Sequence, residues 1–420
     1  MGPTLKRIVN HMKYFIENIK LLKNEESYDL KLDGKNLIIS GNNGSGKTKL
    51  LERIHEFIKK SLSSHNLHTA KQFHEDRISY QNQLQFNARG TGNYDYLVSE
   101  IKRLESDISE LNNFDISYND ILEFRVAVKE RTSIIRFFPA IREANIINDG
   151  KISSLKSLLE EYNIAQKNNF KIEAGTYFER YIVTLWNHAL VSRGVGNDAD
   201  SERVFNTIKS IDCDLKSLFE DDSIRMDFDL DELKIYLLQD GKEPFGLNQL
   251  SSGFSSILSI YTDLLIKAEL DQIPKDDMTG IVLIDEIDAH LHVTLQKKVF
   301  SFFSSSFPNI QFIITTHSPF VIQSVSDAII FNLSTLEQME DLSLYSYTSI
   351  IKGLLGEDVS SDKLMELVKE LMVLVEKNNF NDRFNDLIDL LSKNIESLDN
   401  SSKSALMIAK SKFLDFSEAE

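Results

Sequence analysis

The 420-residue chain carries 42% hydrophobic residues, enough for two or three domains and a sizeable core, and reads as globular. Its net charge of −17 makes the molecule as a whole repel nucleic acid, so direct DNA binding would need a local basic patch or a partner protein. A single cysteine, Cys213, excludes an internal disulfide and a cysteine-based zinc site and reads as structural, while the longest apolar runs fall far short of the ~20 residues that cross a bilayer and no signal-peptide pattern opens the chain. A cytoplasmic protein without a membrane partner is expected.

From about residue 12 to 40 apolar and polar positions alternate (Tyr14, Ile16, Ile19, then Leu30, Leu32) around a polar break at Asn24 to Ser27, which predicts a strand pair leading into a further strand at Leu37-Ile38-Ile39. Gly41-Asn42-Asn43-Gly44-Ser45-Gly46-Lys47-Thr48 then fits the pattern G-x-x-x-x-G-K-[ST] in full. Its glycines let successive backbone N–H groups turn inward around a polyphosphate, and the following helix directs its positive end to the same place. Lys47 is spaced to reach the β and γ phosphates and Thr48 to hold Mg2+, so a polyphosphate with Mg2+ is the implied ligand. Apolar residues from Leu50 to Leu62 recur at helical spacing, extending that helix to about Ser63.

Between about His65 and Asn119 the composition turns polar around Gly90-Thr91-Gly92, and Leu97, Ile101, Leu104, Ile108 and Leu111 step by 4, 3, 4 and 3. Such a heptad seam reads as a helical hairpin projecting from the body, with a helix lying on the core as the alternative. Ser133-Ile134-Ile135-Arg136-Phe137-Phe138 is a strand stopped by Pro139. Residues about 151 to 220 read as helical, with Ile182, Leu185 and Leu190 flanking Trp186, and Ile224 to Gln239 as a strand pair with Asp240-Gly241 as its turn.

A second cluster follows. Gly246-Leu247-Asn248-Gln249-Leu250-Ser251-Ser252-Gly253-Phe254 leads into an amphipathic helix carrying Ile257, Ile260, Tyr261, Leu264 and Leu265; on its own this reads as an N-cap serine. Gly280-Ile281-Val282-Leu283-Ile284-Asp285-Glu286 is a buried parallel strand with its acids at the carboxyl edge, where α/β sheets place ligands. Asp285 is positioned to bind Mg2+, directly or through water, and Glu286 to accept a proton from an attacking water. Phe312-Ile313-Ile314-Thr315-Thr316-His317-Ser318-Pro319 is another buried strand, with Ser318 as helix cap and Pro319 as first helical residue. A histidine at a strand end is usually structural, but His317 shares the nucleotide's sheet edge, where an imidazole could hydrogen-bond a γ-phosphate. His290 and His292 lack a third clustered ligand and read as surface or packing residues.

The order of P-loop, Leu250-Ser251-Ser252-Gly253-Phe254, Ile284-Asp285-Glu286-Ile287-Asp288 and Thr316-His317-Ser318 resembles the ABC-type ATPases of the SMC, RecF and OLD group. The resemblance implies an α/β fold: an ABC-type P-loop ATPase head with a helical or coiled-coil insertion and a helical C-terminal region. It also implies a homodimer or higher even oligomer closing around two ATP molecules. On that basis Gly41 to Thr48 bind phosphates and, through Thr48, Mg2+; Asp285 is the Walker B acid and Glu286 the catalytic base. Ser251, Ser252 and Gly253 form the signature presented to the opposing subunit's nucleotide, Asp288 is the D-loop acid, and His317 the switch. The chain departs from the pattern where Ser252 replaces the second signature glycine, where Phe254 replaces a polar residue, and where Arg142 or Glu143 stands in place of a Q-loop glutamine.

Expected boundaries are an N-terminal ATPase lobe at 1–64, a hairpin insertion at 65–119, a return strand within 120–150 and a helical subdomain at 151–223. A C-terminal ATPase lobe at 224–335 and a C-terminal helical region at 336–420 complete the chain; after about Ile330 the sequence reads as helical. More narrowly, the signature, the Asp285 to His292 stretch and Phe137 to Glu143 resemble the PtuA-type ATPases of Septu antiphage systems and their retron-associated relatives. That resemblance implies a PtuB-like HNH nuclease partner under nucleotide control, with nucleic acid as the target of the complex. No nuclease constellation is visible in the chain itself, and no TOPRIM-like segment follows the histidine strand. Two other readings stand beside it: a RecF-like repair ATPase that binds DNA directly, and a nucleotide-dependent scaffold with little turnover.

Overall fold

The computed structural model describes residues 15–63 and 70–142, scattered positions between 154 and 164, residues 177–351 and residues 361–417, apart from the single positions 24, 230, 272 and 344. Glu143, the polar break at position 24, position 14 and residues 165–176 of the expected helical subdomain lie outside the described residues. The chain divides into two compact units, Met1–Tyr345 and Ser346–Glu420.

In the first unit, β1 (Ile16–Lys23) and β2 (Glu26–Lys31) pair antiparallel, and the alternation of β1 turns Ile16, Ile19 and Leu21 inward. β3 (Asn36–Ser40) carries Leu37, Ile38 and Ile39 with no exposure on either side, the pattern of a strand covered on both faces. From its end the glycine-rich loop opens into α1 (Lys47–Ser63), which buries Leu51, Ile54 and Ile58 along one stripe. α2 (Ala70–Leu84) and α3 (Gly92–Asn113) pack against each other, with Leu97, Ile101, Leu104 and Ile108 of the seam buried. β4 (Phe114–Tyr118) follows at once, pairs with β1, and completes a three-stranded sheet ordered β2-β1-β4. α4 (Ile121–Lys129) is capped by Asp120, whose side chain accepts from the Glu123 N–H, and β5 (Ser133–Phe138) comes next.

α5 (Phe178–Gly194) and α6 (Asp198–Phe219) meet through Trp186, which stands edge-on to Phe205 at 5.4 Å and stacks on Phe228 at 5.9 Å. Phe228 belongs to β6 (Arg225–Asp229), which forms a small antiparallel sheet with β7 (Lys234–Leu238) and β8 (Phe245–Gly246). Then come α7 (Ser252–Leu270), β9 (Thr279–Ile284), α8 (Val293–Gln296), α9 (Val299–Ser306), β10 (Ile310–Thr315), α10 (Pro319–Gln323), β11 (Ala328–Asn332) and β12 (Glu337–Glu340).

The central sheet runs β12-β11-β3-β10-β9-β5, parallel throughout except for β12. One of its faces, with Leu37, Ile39, Leu283 and Ile313, shares a core with α1 and with the inward face of β1, β2 and β4. On the other face Phe300 and Phe303 of α9 both pack their rings near Phe312 at 6.2 Å, and Tyr261 of α7 meets Phe302 and Phe307. Gln311, fully buried in β10, ties the layers together. Its side chain accepts from the Ile16 N–H at 2.7 Å and donates to the carbonyls of Ile16 and Lys35 at 3.2 and 2.7 Å, so a buried amide costs nothing in lost hydrogen bonds. In the second unit, α11 (Asp362–Glu376), α12 (Asp382–Lys393) and α13 (Asn400–Ser417) bury Leu371, Phe384, Leu387 and Leu406 in their own core.

Three expectations need correction. Residues 114–118 form the strand β4 rather than part of the expected hairpin, since the second edge of β1 carries backbone groups that need a partner strand. Past Ile330 the chain continues as β11 and β12, because β3 is covered on its far side only by another strand; the helical unit starts later. Asp240-Gly241 turns β7 into β8, while the β6–β7 turn is closed by the Asp229 carboxylate accepting from the Asp231 and Glu232 N–H groups. Leu190 is 42% exposed, and Cys213 lies exposed on α6.

Edge strand β5 is tied to α7 by a two-pronged ion pair. Arg136 Nε and Nη2 donate to the Asp263 carboxylate at 2.7 and 2.8 Å, and Asp263 is 2% exposed. Removing one partner leaves a charge in a dry site. Arg136→Met is therefore expected to lower stability in urea unfolding by about 3–5 kcal/mol, and Arg136→Met with Asp263→Leu to recover most of that loss; equal destabilisation by the single and double variants would contradict the pairing.

Candidate active site

The site forms at the carboxyl edge of β3, β9 and β10, where Thr316 N–H donates to Ile39 O at 3.1 Å and Leu333 N–H to Ser40 O at 2.8 Å. These bonds fix where β3 stops and the loop begins. Gly44 and Gly46 take φ of +78° and +98°, which side chains rarely adopt, and a Cβ at either would meet nothing within 4 Å. The glycines are thus demanded by backbone conformation, and the space beside them is open. Ser334 Oγ accepts from the Asn42 N–H at 2.8 Å and holds the loop from the β11 side. Lys47 heads α1 and is 6% exposed. Its Nζ donates to Gly41 O at 2.9 Å and Asn42 O at 3.1 Å and lies 3.4 Å from His317 Nδ1. Burial pulls the Lys47 pKa down, against the opposing pull of the Glu286, Asp285 and Asp288 carboxylates.

Thr48 Oγ1 donates to Asp285 Oδ2 at 2.9 Å. The other oxygen of Asp285 accepts from Thr315 Oγ1 at 2.6 Å, and that hydroxyl accepts from the Glu286 N–H at 2.7 Å. One chain of hydrogen bonds therefore links α1, β9 and β10. Glu286 itself has φ +45°, a left-handed conformation that a residue with a side chain holds only when its surroundings enforce it. On the far side Arg142, 6% exposed, donates from Nη1 to Pro139 O at 2.7 Å and Asp285 O at 2.6 Å, and from Nη2 to Glu286 O at 2.9 Å.

Asp288 accepts from Thr316 Oγ1 at 2.5 Å, and the same hydroxyl accepts from the Ser318 N–H at 2.9 Å. Ser318 caps α10 by accepting from the Phe320 and Val321 N–H groups and donates from Oγ to Gln296 at 2.7 Å. His317 stands between, its pKa lowered first by burial and then by the nearby Lys47 charge, so the imidazole stays neutral more readily than a free one. His290 is exposed, His292 pairs with Thr294 Oγ1 at 3.1 Å, and among the described residues no group of three His, Cys, Asp or Glu side chains is gathered around a metal site.

Ser251 is the N-cap of α7, yet its side chain makes no capping bond; it and Ser252 are exposed. Among the described residues no hydrogen bond joins them to the glycine-rich loop. Gly253 is different: a Cβ there would lie 2.8 Å from His290 O and 3.3 Å from Leu291 Cδ2, so the start of α7 sits directly on the turn that follows Asp288. Phe254 stacks on Phe219 of α6 at 4.2 Å. Among the expected site residues, Lys47, Thr48, Asp285, Glu286, Asp288 and His317 are gathered by these bonds at one sheet edge, while Ser251 and Ser252 stand apart from it. Sequence reasoning assigns no role to Thr315 or Ser334, and it left Arg142 as an occupant without a function; a hydroxyl before a motif or an arginine in a loop carries no periodic signal.

A polyphosphate and its cation suit this setting. Gly44 and Gly46 leave the cradle clear, Ser45 Oγ is buried without a hydrogen-bond partner among the described residues, and Thr48 and Asp285 offer two oxygen donors side by side.

A family model described as "AAA domain, putative AbiEii toxin, Type IV TA system" matches residues 37–323, more than half of the chain. The retron Vc95 probable ATPase of Vibrio cholerae is 24% identical over 89% of this chain and 86% of its own length. The Septu protein PtuA of Bacillus mycoides is 38% identical over 94 residues, 22% of this chain and 13% of that protein, and the retron Ec83 probable ATPase of Escherichia coli 44% over 80 residues, 18% and 15% respectively. Among solved structures, an Smc head bound to the C-terminal winged-helix domain of ScpA covers 78% of this chain and 98% of its own at 14% identity, with a TM-score of 0.36. A nucleotide-free ATP-binding cassette from an ABC transporter covers 82% and 95% at 12% identity, with a TM-score of 0.33.

The close approach at Gly253 yields a stability test. Gly253→Ala drives a methyl into the His290 carbonyl and is expected to lower urea-unfolding stability by about 1–3 kcal/mol. Ser252→Ala, one residue earlier on an exposed position, is expected to change it by less than about 0.5 kcal/mol. A neutral Gly253→Ala would mean that the 288–292 turn gives way freely.

Proposed function

The chain belongs to the AAA-domain family whose model spans residues 37–323, and from that premise we propose that it is the ATP-hydrolysing subunit of an antiphage defence complex, closing as a homodimer or higher even oligomer around ATP and controlling a partner HNH nuclease. The observation that carries the catalytic part is the hydrogen-bond chain from Thr48 through Asp285 and Thr315 to Glu286, with Lys47 and His317 beside it. Relatives named as retron ATPases and Septu PtuA support the defence setting.

Magnesium, held by Thr48 and Asp285, would supply charge neutralisation at the β and γ phosphates. Lys47 would exchange the carbonyls of Gly41 and Asn42 for phosphate oxygens, an acceptor for an acceptor, so that its buried ammonium is never left bare. The N–H groups of Asn43 to Thr48 and the start of α1 would complete the cradle. Thr315 would keep the Asp285 carboxylate oriented, and Glu286 would take a proton from the attacking water. A neutral His317 would donate one hydrogen bond to the γ-phosphate and lose it on hydrolysis, which suits a switch. The uncapped Ser251 hydroxyl, with Ser252 and the Gly253 backbone, would meet the nucleotide held by a second copy, and Asp288 would set the adjoining turn through Thr316. Opening and closing would then bias the nuclease between two states.

Lys47→Ala and Glu286→Gln, tested side by side, separate binding from turnover. Lys47→Ala is expected to abolish nucleotide binding. Glu286→Gln is expected to bind ATP normally and hydrolyse it about 10²–10⁴-fold more slowly, and both variants are expected to lose protection in a phage challenge. Protection equal to the unmodified protein in both variants would sink the defence-ATPase reading, and affinity capture from the native host that returns recombination proteins rather than a small HNH protein would remove the partner.

A further inference from the structure

The acid that would activate water sits on backbone it cannot hold by itself. Glu286 combines a bulky side chain with φ +45°, a conformation that persists only where neighbours over-determine it. Beside the Ala289 N–H, which its carbonyl accepts at 2.9 Å, two side chains reach its backbone from its two ends. Thr315 Oγ1 accepts its N–H at 2.7 Å, and Arg142 Nη2 donates to its carbonyl at 2.9 Å. Arg142 uses Nη1 for the preceding carbonyl, Asp285 O at 2.6 Å, and for Pro139 O at 2.7 Å in its own loop. A single planar guanidinium thus spans both consecutive carbonyls of the acidic pair and anchors them to the end of β5, whose last carbonyl, Phe138 O, also receives the Asp285 N–H at 2.8 Å. At 6% exposure the guanidinium has little water to fall back on, so these carbonyls are strong partners.

We infer that Arg142 is a positioning residue for Glu286: its guanidinium fixes the left-handed backbone turn that aims the carboxylate, and it does so without touching nucleotide. The inference rests on the reading of Glu286 as general base and extends it to a residue outside the motifs. The planar fork matters. A lysine ammonium presents a point charge on a flexible stem and cannot span two carbonyls in one plane, so Arg142→Lys keeps the charge and loses the geometry.

Steady-state ATP hydrolysis and equilibrium binding of a fluorescent ATP analogue, on the full chain, test this in Arg142→Ala, Arg142→Lys and the double variant with Glu286→Gln. Misplacing a catalytic group by about 1 Å costs about 100-fold in rate. Arg142→Ala is expected to lose about that factor in kcat, with KM and analogue affinity within about threefold, and Arg142→Lys about tenfold. Added to Glu286→Gln, Arg142→Ala is expected to cause no further loss, because the group it aims is already gone. A kcat unchanged in Arg142→Ala, binding lost in step with kcat, or losses that multiply in the double variant would each overturn the inference. If Arg142→Ala does not fold, the lysine variant decides: full kcat there overturns it. A wild-type protein that turns over no ATP removes the general-base premise, whereas wild-type turnover with an indifferent Arg142 removes this inference alone.

Discussion

The arrangement depends on one carboxylate. Asp285, the residue after β9, is 3% exposed and survives burial because both of its oxygens are spoken for, one by Thr48 on α1 and one by Thr315 on β10. A buried acid with two hydroxyl donors from two different elements fixes the distance between the glycine-rich loop and the neighbouring strand ends. Everything else at the site is placed relative to it: Thr315 passes the constraint to the Glu286 N–H, Arg142 holds the Asp285 and Glu286 carbonyls, and Lys47 lies within reach of His317. The same hydroxyl-to-acid logic recurs one step further on, where Thr316 holds Asp288.

The sheet beneath explains why such precision is available. β3, β9 and β10 are buried on both faces, so their ends are held by packing rather than by the loops they support. Gln311 in β10 locks the antiparallel layer to this platform through buried amide bonds, and the Arg136–Asp263 pair fastens α7 to the edge strand. The start of α7 approaches the turn after Asp288 through the contact of Gly253 with the His290 carbonyl, while the ion pair joins the interior of α7 to the edge strand β5.

Much of this was legible in the sequence because the central strands are continuous apolar runs and the loop that follows β3 admits few alternatives. β3, α1, β9 and β10 lie where Leu37 to Ile39, Leu50 to Leu62, Ile281 to Ile284 and Phe312 to Thr315 put them. Short edge elements were less visible. Phe114–Tyr118 carries the alternation of a strand but directly abuts a helix whose heptad seam dominates the pattern, and Glu337–Glu340 is polar because it is an edge strand with little to bury. At the site, side chains in sequence motifs could be named in advance, but Arg142, Thr315 and Ser334 act by reaching backbone or carboxylate groups across the fold, and such contacts have no spacing to read.

On the proposed reading, the site is half of a larger one. The glycine-rich loop, acids and histidine converge in one chain, while Ser251 and Ser252 lie exposed and, among the described residues, make no hydrogen bond to that loop. The most direct test of this account is the ATP hydrolysis rate per chain measured across a dilution series, with the oligomeric state followed in parallel by mass photometry. The account predicts that the rate per chain falls as the assembly dissociates and is restored on concentration; a rate per chain that holds constant among monomers would contradict it.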